Sequence, residues 1–235
     1  ALHYTKGDGY YEEYKPGSSL VEYGLKPFNP DGTETNESDL VRQKKMDNKF
    51  GGGVFSLNYT GNRLTASLGG GLNQYRGNNF GKVTWVKNYI GILSPEHEYY
   101  RNKSKKTDGN IYLKANYDLT STLSAYADLQ YRHIDYTIDG VNDKYDWNKN
   151  ALRPLAVDKK FDFFNPKVGL NWNITPNHRL YASFSVAQKE PTRNNYTDGD
   201  PDSYPKAEKL LDYEVGYTFA NPWPVSYTHL RAHET

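Results

Sequence analysis

The chain has 235 residues with no cysteine, 22 tyrosines, and 29 basic against 28 acidic side chains. Disulfide and thiol chemistry are thereby excluded, and a formal net charge of +1 offers no electrostatic basis for binding nucleic acid. A mean hydropathy of −0.89, with no run approaching the roughly 18 apolar residues a spanning helix needs, rules out a helical membrane protein.

In chain order, the sequence opens inside a strand-like run, ALHYTKGDGYYEEYK, with no leader-peptide pattern. Glu12 and Glu13 within it are not an acid–base pair, because adjacent strand residues point to opposite faces. The runs KFGGGVFSLNY and LTASLGGGLNQY flank TGNR, and alternation places Phe55, Leu57 and Tyr59 on one face with Leu64, Ala66 and Leu68. Pairing Tyr59 with Leu64 sets Gly52 opposite Gly71 on the polar face, a shallow hollow into which another backbone could approach. The glycine runs do not read as a phosphate loop, since strand pattern continues on both sides of each.

Further along, NIYLKANYDL and LSAYADLQY flank TST. Pairing Leu119 with Leu123 sets Lys114 opposite Asp128 on the polar face and Tyr117 opposite Ala125 on the apolar one. The segment NPKVGLNWNITPNHRLYASFSV repeats the design, with Val168, Leu170, Trp172 and Ile174 facing Leu180, Ala182, Phe184 and Val186 across TPNHR. DYEVGYTF supplies one more strand through Leu211, Tyr213, Val215, Tyr217 and Phe219.

The links within these hairpins are short, at 60–63, 120–122 and 175–179, whereas those near 15–45, 76–108, 137–160 and 189–209 read as long polar loops. Long loops collected at one end of an up-and-down meander, with aromatic Tyr59, Tyr117 and Trp172 beside the short turns, suit a transmembrane β-barrel. Its strands need only about 9–11 residues to cross, half of them apolar, so mean hydropathy stays low. The apolar face is expected on the outside, meeting lipid, with Lys114, Asp128, Asn171, Ser183 and Glu214 inside. A soluble sandwich would share the alternation but would not string its long loops on one end. The acidic run DGDPD offers Asp198, Asp200 and Asp202 at calcium-loop spacing, but Ser203 and Lys209 stand where such a loop needs Gly and Glu. No metal, cofactor or catalytic residue is expected.

Together ALHYTKGDGYYEEYK, GGVFSLNYTGNRLTASLGGGLNQY, DLQYRH, FFNPKVGLNW, LYASFSVAQKEPTRNNYTD and PKAEKLLDYEVGYTF, in this order, resemble the barrel of a TonB-dependent outer-membrane receptor of the kind abundant in Bacteroides-like bacteria. The resemblance implies an all-β, antiparallel barrel of about 22 strands with a plugged lumen, of which about eight strands are countable here. It also implies import of a scarce ligand, a ferric siderophore foremost, driven by a TonB–ExbB–ExbD complex that engages a box ahead of an N-terminal plug. On that reading the chain is an internal piece of a Gram-negative outer-membrane protein, inactive without plug and box; the alternative is a passive porin or a small structural or adhesive barrel. Tyr99, Tyr100, Arg101, Arg193 and Tyr196, loop residues whose rings and guanidinium groups suit an anionic, partly aromatic iron chelate, are the candidate substrate contacts, and the Gly52–Gly71 hollow is the candidate plug-facing surface.

The final segment, VSYTHLRAHET at 225–235, breaks the alternation and resembles one reading frame of a transposase sequencing-library adapter. The barrel portion is therefore expected to be residues 1–224, with the tail not native and His229 and His233 discounted as ligands.

Overall fold

The computed structural model describes residues 1–26, 36–89, 93–94, 97–200 and 203–220; the tail at 225–235 lies outside them, as does Asp202. Among the described residues eight strands form one sheet in which each pairs antiparallel with its sequence neighbours. They are β1 (Leu2–Ser19), β2 (Glu37–Thr60), β3 (Leu64–Val86), β4 (Glu98–Asp118), β5 (Leu123–Asp146), β6 (Ala151–Thr175), β7 (His178–Lys189) and β8 (Glu208–Phe219). A short 3-10 turn, Leu20–Tyr23, follows β1, and one helix, α1 (Arg193–Asp198), precedes β8. Among the described residues β1 and β8 each pair on one side only. No helix among the described residues is long and apolar enough to cross a membrane.

Neighbouring residues of β4 name the two faces. The Leu113 face carries, across the register, Leu57, Leu68, Leu113 and Leu129, and across β6–β8 Val168, Phe184 and Tyr213. These side chains meet no second sheet: Leu57 is 65% exposed, Leu170 49% and Val215 71%. Aromatic residues border the band on both sides. Tyr59, Tyr117, Trp172 and Tyr217 lie toward the short turns, and the facing pair Tyr131 and Phe164 lies about eight residues along, which is roughly 26 Å of strand.

The Tyr112 face of the same half is polar, and its glycines have a specific use. Tyr112 faces Gly69, Tyr126 faces Gly169 and Tyr181 faces Gly216, and a Cβ added at any of the three would collide with the opposing tyrosine ring. Each large ring therefore lies flat over a position without a side chain, filling space that any other residue would close. Lys114 pairs with Asp128 at 3.3 Å and Tyr117 with Ala125, as the TST turn predicts.

The TGNR turn closes differently from expectation. Thr60 pairs with Thr65, and the Gly61 N–H donates to the Leu64 carbonyl at 2.8 Å. The register slips by two, which preserves each residue's face but changes every partner, so Gly52 faces Asn73 and Gly71 faces Val54. The carboxamide of Asn73 crowds the position a Gly52 side chain would take, so the two glycines form no joint hollow. Gly71 alone lines a cleft of about 410 Å³ with Val54, Ser56, Asn110 and Tyr112.

A second correction concerns loop length. Of the four long loops expected, 137–160 is almost wholly strand, β5 and β6 being joined only by the turn 147–150 in which Asn150 adopts φ 48°. Asparagine tolerates that left-handed conformation better than most side chains. Within the 76–108 segment, 76–86 and 98–108 are likewise strand, belonging to β3 and β4. β6 runs 25 residues, more than twice what a membrane crossing needs.

The reason lies in the side chains. On β5 the Leu113 face reads Leu123, Ala125, Ala127, Leu129, Tyr131 and then His133, Asp135, Thr137, Asp139, while the other face reads Ser124, Tyr126, Asp128, Gln130, Arg132 and then Ile134, Tyr136, Ile138. The apolar phase changes face near residue 133. β6 inverts at the facing level, with Asp162, Lys160 and Asp158 following Phe164 on the Leu113 face and Phe163, Phe161, Val157 and Leu155 taking the Tyr112 face.

The buried core accordingly sits at the loop end of the Tyr112 face, in two clusters. Leu20, Tyr23 and Leu25 of the first long loop pack on Leu40, Val83, Tyr99 and Tyr100. Tyr196 of α1 packs on Ile134, Tyr136, Ile138, Leu155, Val157 and Phe163.

Candidate functional site

Two loops fold back over the sheet and enclose space at the loop end of the Tyr112 face. α1 starts at Thr192, whose backbone and hydroxyl both contact the Asn195 side chain in a capping box, at 2.8 and 2.7 Å. Its Tyr196 is 1% exposed and meets Tyr136 and Tyr204 edge-on at 5.8 and 5.1 Å. At the β5 bulge between Val141 and Tyr145, the Asn142 side chain donates to the Thr197 carbonyl, so an irregularity in the wall is what holds the helix.

The stem of this loop is anchored by charge. Glu190, 8% exposed, accepts from Lys106 and from both terminal nitrogens of Arg132, at 3.1 and 3.3 Å for the latter, and Arg132 also forks onto Asp108 with Nε 3.1 Å from each carboxylate oxygen. Burial works to raise the Glu190 carboxyl, but the Lys106 hydrogen bond and the Lys106 and Arg132 charges outweigh it and hold it below the ordinary carboxylate range. Two strands, β4 and β5, thereby grip one carboxylate carried just past the end of β7. Lys144 adds an exposed contact to Asp198 at 3.0 Å.

Between α1 and the wall of β1–β4 lies a cleft of about 650 Å³, bordered by Tyr11, Lys44, Tyr100, Asn102, Asn142 and Arg193 among others. Arg193 donates to Asn102 Oδ1 at 2.8 Å, and Lys44 pairs with Asp143. Arg193 Nε finds no partner among the described residues. The cleft thus combines tyrosine rings and carboxamides with two carboxylates, Asp143 and Asp198, that are paired to Lys44 and Lys144, and with Lys45 and Arg193, which have no carboxylate partner among the described residues and could meet an oxygenated ligand.

Of the residues singled out from sequence, Tyr100 and Arg193 come together at this cleft. Tyr99, 7% exposed, is packed between Tyr23 and Tyr100 at 4.8 and 5.0 Å, and Tyr196 is the anchor of α1; neither presents a free ring. Arg101 lies on the Leu113 face, over the Phe80 ring at 4.2 Å and paired with Glu98. Sequence reasoning missed Lys44, Asn102 and Asn142, because polar residues of a wall strand carry no sign of which loop will cover them. The network of Lys106, Asp108, Arg132 and Glu190 was missed for a similar reason: its members are up to 84 residues apart.

A single up-and-down antiparallel sheet with one apolar face exposed and loops folded onto the other is the wall of a β-barrel. The family model described as TonB dependent receptor-like, beta-barrel, matches residues 2–228, and the chain belongs to that family, whose members are receptors and not enzymes. Among solved structures, the alcaligin outer membrane receptor FauA of Bordetella pertussis matches at 14% identity and TM-score 0.45, covering 77% of this chain and 28% of that one. The siderophore receptor PiuA of Acinetobacter baumannii matches at 11% identity and TM-score 0.47, with 77% and 30% covered. The chain therefore spans less than a third of either. No curated protein matches.

Proposed function

We propose that this chain is part of an outer-membrane receptor that imports a scarce anionic ligand, a ferric siderophore foremost, with energy supplied through TonB–ExbB–ExbD. The observation carrying this is the phase inversion of the strands. Below the Tyr131–Phe164 level the Leu113 face is apolar and exposed over a height suited to the hydrocarbon core of a bilayer; above it the face turns charged. Lipid surrounds the lower half, water surrounds the upper half, and the Tyr112 face lines the lumen.

The cleft at Tyr100, Asn102 and Arg193 then opens to the lumen beneath α1, where a captured ligand is held before passage. Arg193 supplies charge to an anionic chelate, and Tyr11 and Tyr100 supply faces for its aromatic groups. Gly71 and its cleft face the volume a plug domain fills. The folded-in loop favours gated capture over a passive pore.

The test is uptake of iron-55 siderophores, catecholate and hydroxamate in parallel, by cells expressing the complete receptor. Uptake is expected to require TonB and to fall about tenfold or more in Arg193→Ala, the loss of one or more charge-assisted hydrogen bonds. TonB-independent uptake, or binding of every ferric chelate at the same affinity in wild type and Arg193→Ala, would overturn the reading.

A further inference from the structure

On the Leu113 face, directly facing pairs across four consecutive strands place Lys6 opposite Lys49, Lys49 opposite Arg76, and Arg76 opposite Lys105. All four are exposed, and none has a carboxylate partner among the described residues; Arg76 Nε donates to Gln74 at 2.8 Å. Like charges directly across a strand pair repel, and a row of them is a local cost to the sheet. Elsewhere the sheet sets opposite signs across a pair, as in Lys114 with Asp128, while a second like-charged facing pair, Asp8 with Asp47, lies one row beyond the cations on the same face. None of those carboxylates forms an ion pair with the row among the described residues, so an anion seated on the row itself would relieve its repulsion.

We propose that the row binds the headgroup of an outer-leaflet glycolipid carrying more than one phosphate. The inference rests on the membrane reading and adds a site to it. Three interstrand spacings make the row about 14 Å wide, more than a single phosphodiester fills. Arg76 lies four residues, about 13 Å of strand, beyond Leu72, the last β3 side chain of the continuous apolar band on this face, which is headgroup depth on the loop side; Phe80, further out on the same face, is covered by Arg101. Lys49, Arg76 and Lys105 border a cleft of about 600 Å³ that also holds Asn78, Lys103 and Thr137, with Gln74 and Thr107 paired one row closer to the band. These carboxamides and hydroxyls suit sugar hydroxyls. Asp8, Asp47 and Asp139 lie one row farther out and repel phosphate from that level, confining it to the cationic row.

The experiment uses the complete receptor in phosphatidylcholine bilayer discs doped either with lipid A, which carries two phosphates on a disaccharide, or with phosphatidylglycerol. Retained lipid is read by native mass spectrometry and insertion by heat-modifiable migration. Wild type is expected to retain lipid A in preference to phosphatidylglycerol and to lose it as salt is raised. The quadruple variant Lys6→Gln, Lys49→Gln, Arg76→Gln, Lys105→Gln should weaken lipid A about 100-fold or more, while Lys→Arg at the three lysines should keep it. Equal retention of the two lipids by wild type, displacement of lipid A by millimolar inorganic phosphate alone, or unchanged retention in an inserted quadruple variant would each overturn the proposal while leaving the membrane reading standing. Failure of wild type to insert at all would overturn both.

Discussion

The two halves of β5 and β6 are the same ladder with opposite chemistry. Toward the short turns, the exposed apolar and aromatic side chains are Leu129, Tyr131, Val168 and Leu170; toward the loops, the buried ones are Ile134, Ile138, Leu155 and Val157, on the other face. Hydrogen bonding continues without a break through the change, with Tyr131 facing Phe164 and Ile134 facing Phe161. The backbone is therefore indifferent to which face is wet, and the difference records what stands against each face. The lower half is shaped for an apolar solvent outside. The upper half is shaped for water outside and a folded loop inside.

The largest test of that contrast inserts charge on either side of one residue step. In the complete receptor, Leu170→Arg puts a cation in the middle of the exposed apolar band and is expected to cost about 2–4 kcal/mol and block assembly in the outer membrane. Asn171→Arg, on the Tyr112 face, is expected to assemble normally by surface labelling. Equal assembly of the two would remove the distinction between the faces.

In the upper half, the contrast is sharpened by Glu190→Gln, which leaves Lys106 and Arg132 facing a neutral amide. An expected loss of about 2 kcal/mol should be confined to the loop of α1 and read as faster hydrogen exchange across 190–207, with the lower strands unchanged. The same anchor responds to pH. Because the folded carboxyl is held below its unfolded value, its contribution is complete above the unfolded range of about 4.3 and is lost as pH falls through the lower folded value. Loop protection should thus decline on acidification below about pH 4 in wild type and show no such step in Glu190→Gln.

The smallest effect belongs to the exposed pair of the lower half. A double-mutant cycle on Lys114 and Asp128, whose side chains are 56% and 33% exposed, is expected to give a coupling of about 0.2–1 kcal/mol that shrinks with added salt. A coupling as large as that of Glu190 would mean that the lower polar face is shielded from water as thoroughly as the upper one.

How much of this was legible in the sequence follows from the range of each signal. The three short hairpins were readable because turn and alternation are local, and Lys114–Asp128 follows from counting outward from TST. The TGNR turn sits one residue later than the count placed it, which slips the register by two, leaves each face intact and replaces Gly52–Gly71 with Gly52–Asn73. The length of β5 and β6 was hidden for another reason: alternation tested in one phase ends at the inversion, and residues 137–160 then read as loop although their ladder continues. Among the candidate contacts, composition picked out the loop-end aromatic and cationic residues. It could not separate Tyr100 and Arg193, at the cleft, from Tyr99 and Tyr196, buried beside it, or from Arg101 on the far face. By itself, then, the sequence determined strand direction, face assignment and the apolar band, all set by neighbours one or two residues apart. Tertiary structure alone decided which loop covers which wall, since Glu190 reaches Arg132 across 58 residues and Arg193 reaches Asn102 across 91, and no local pattern encodes a contact whose partners meet only when the sheet has formed.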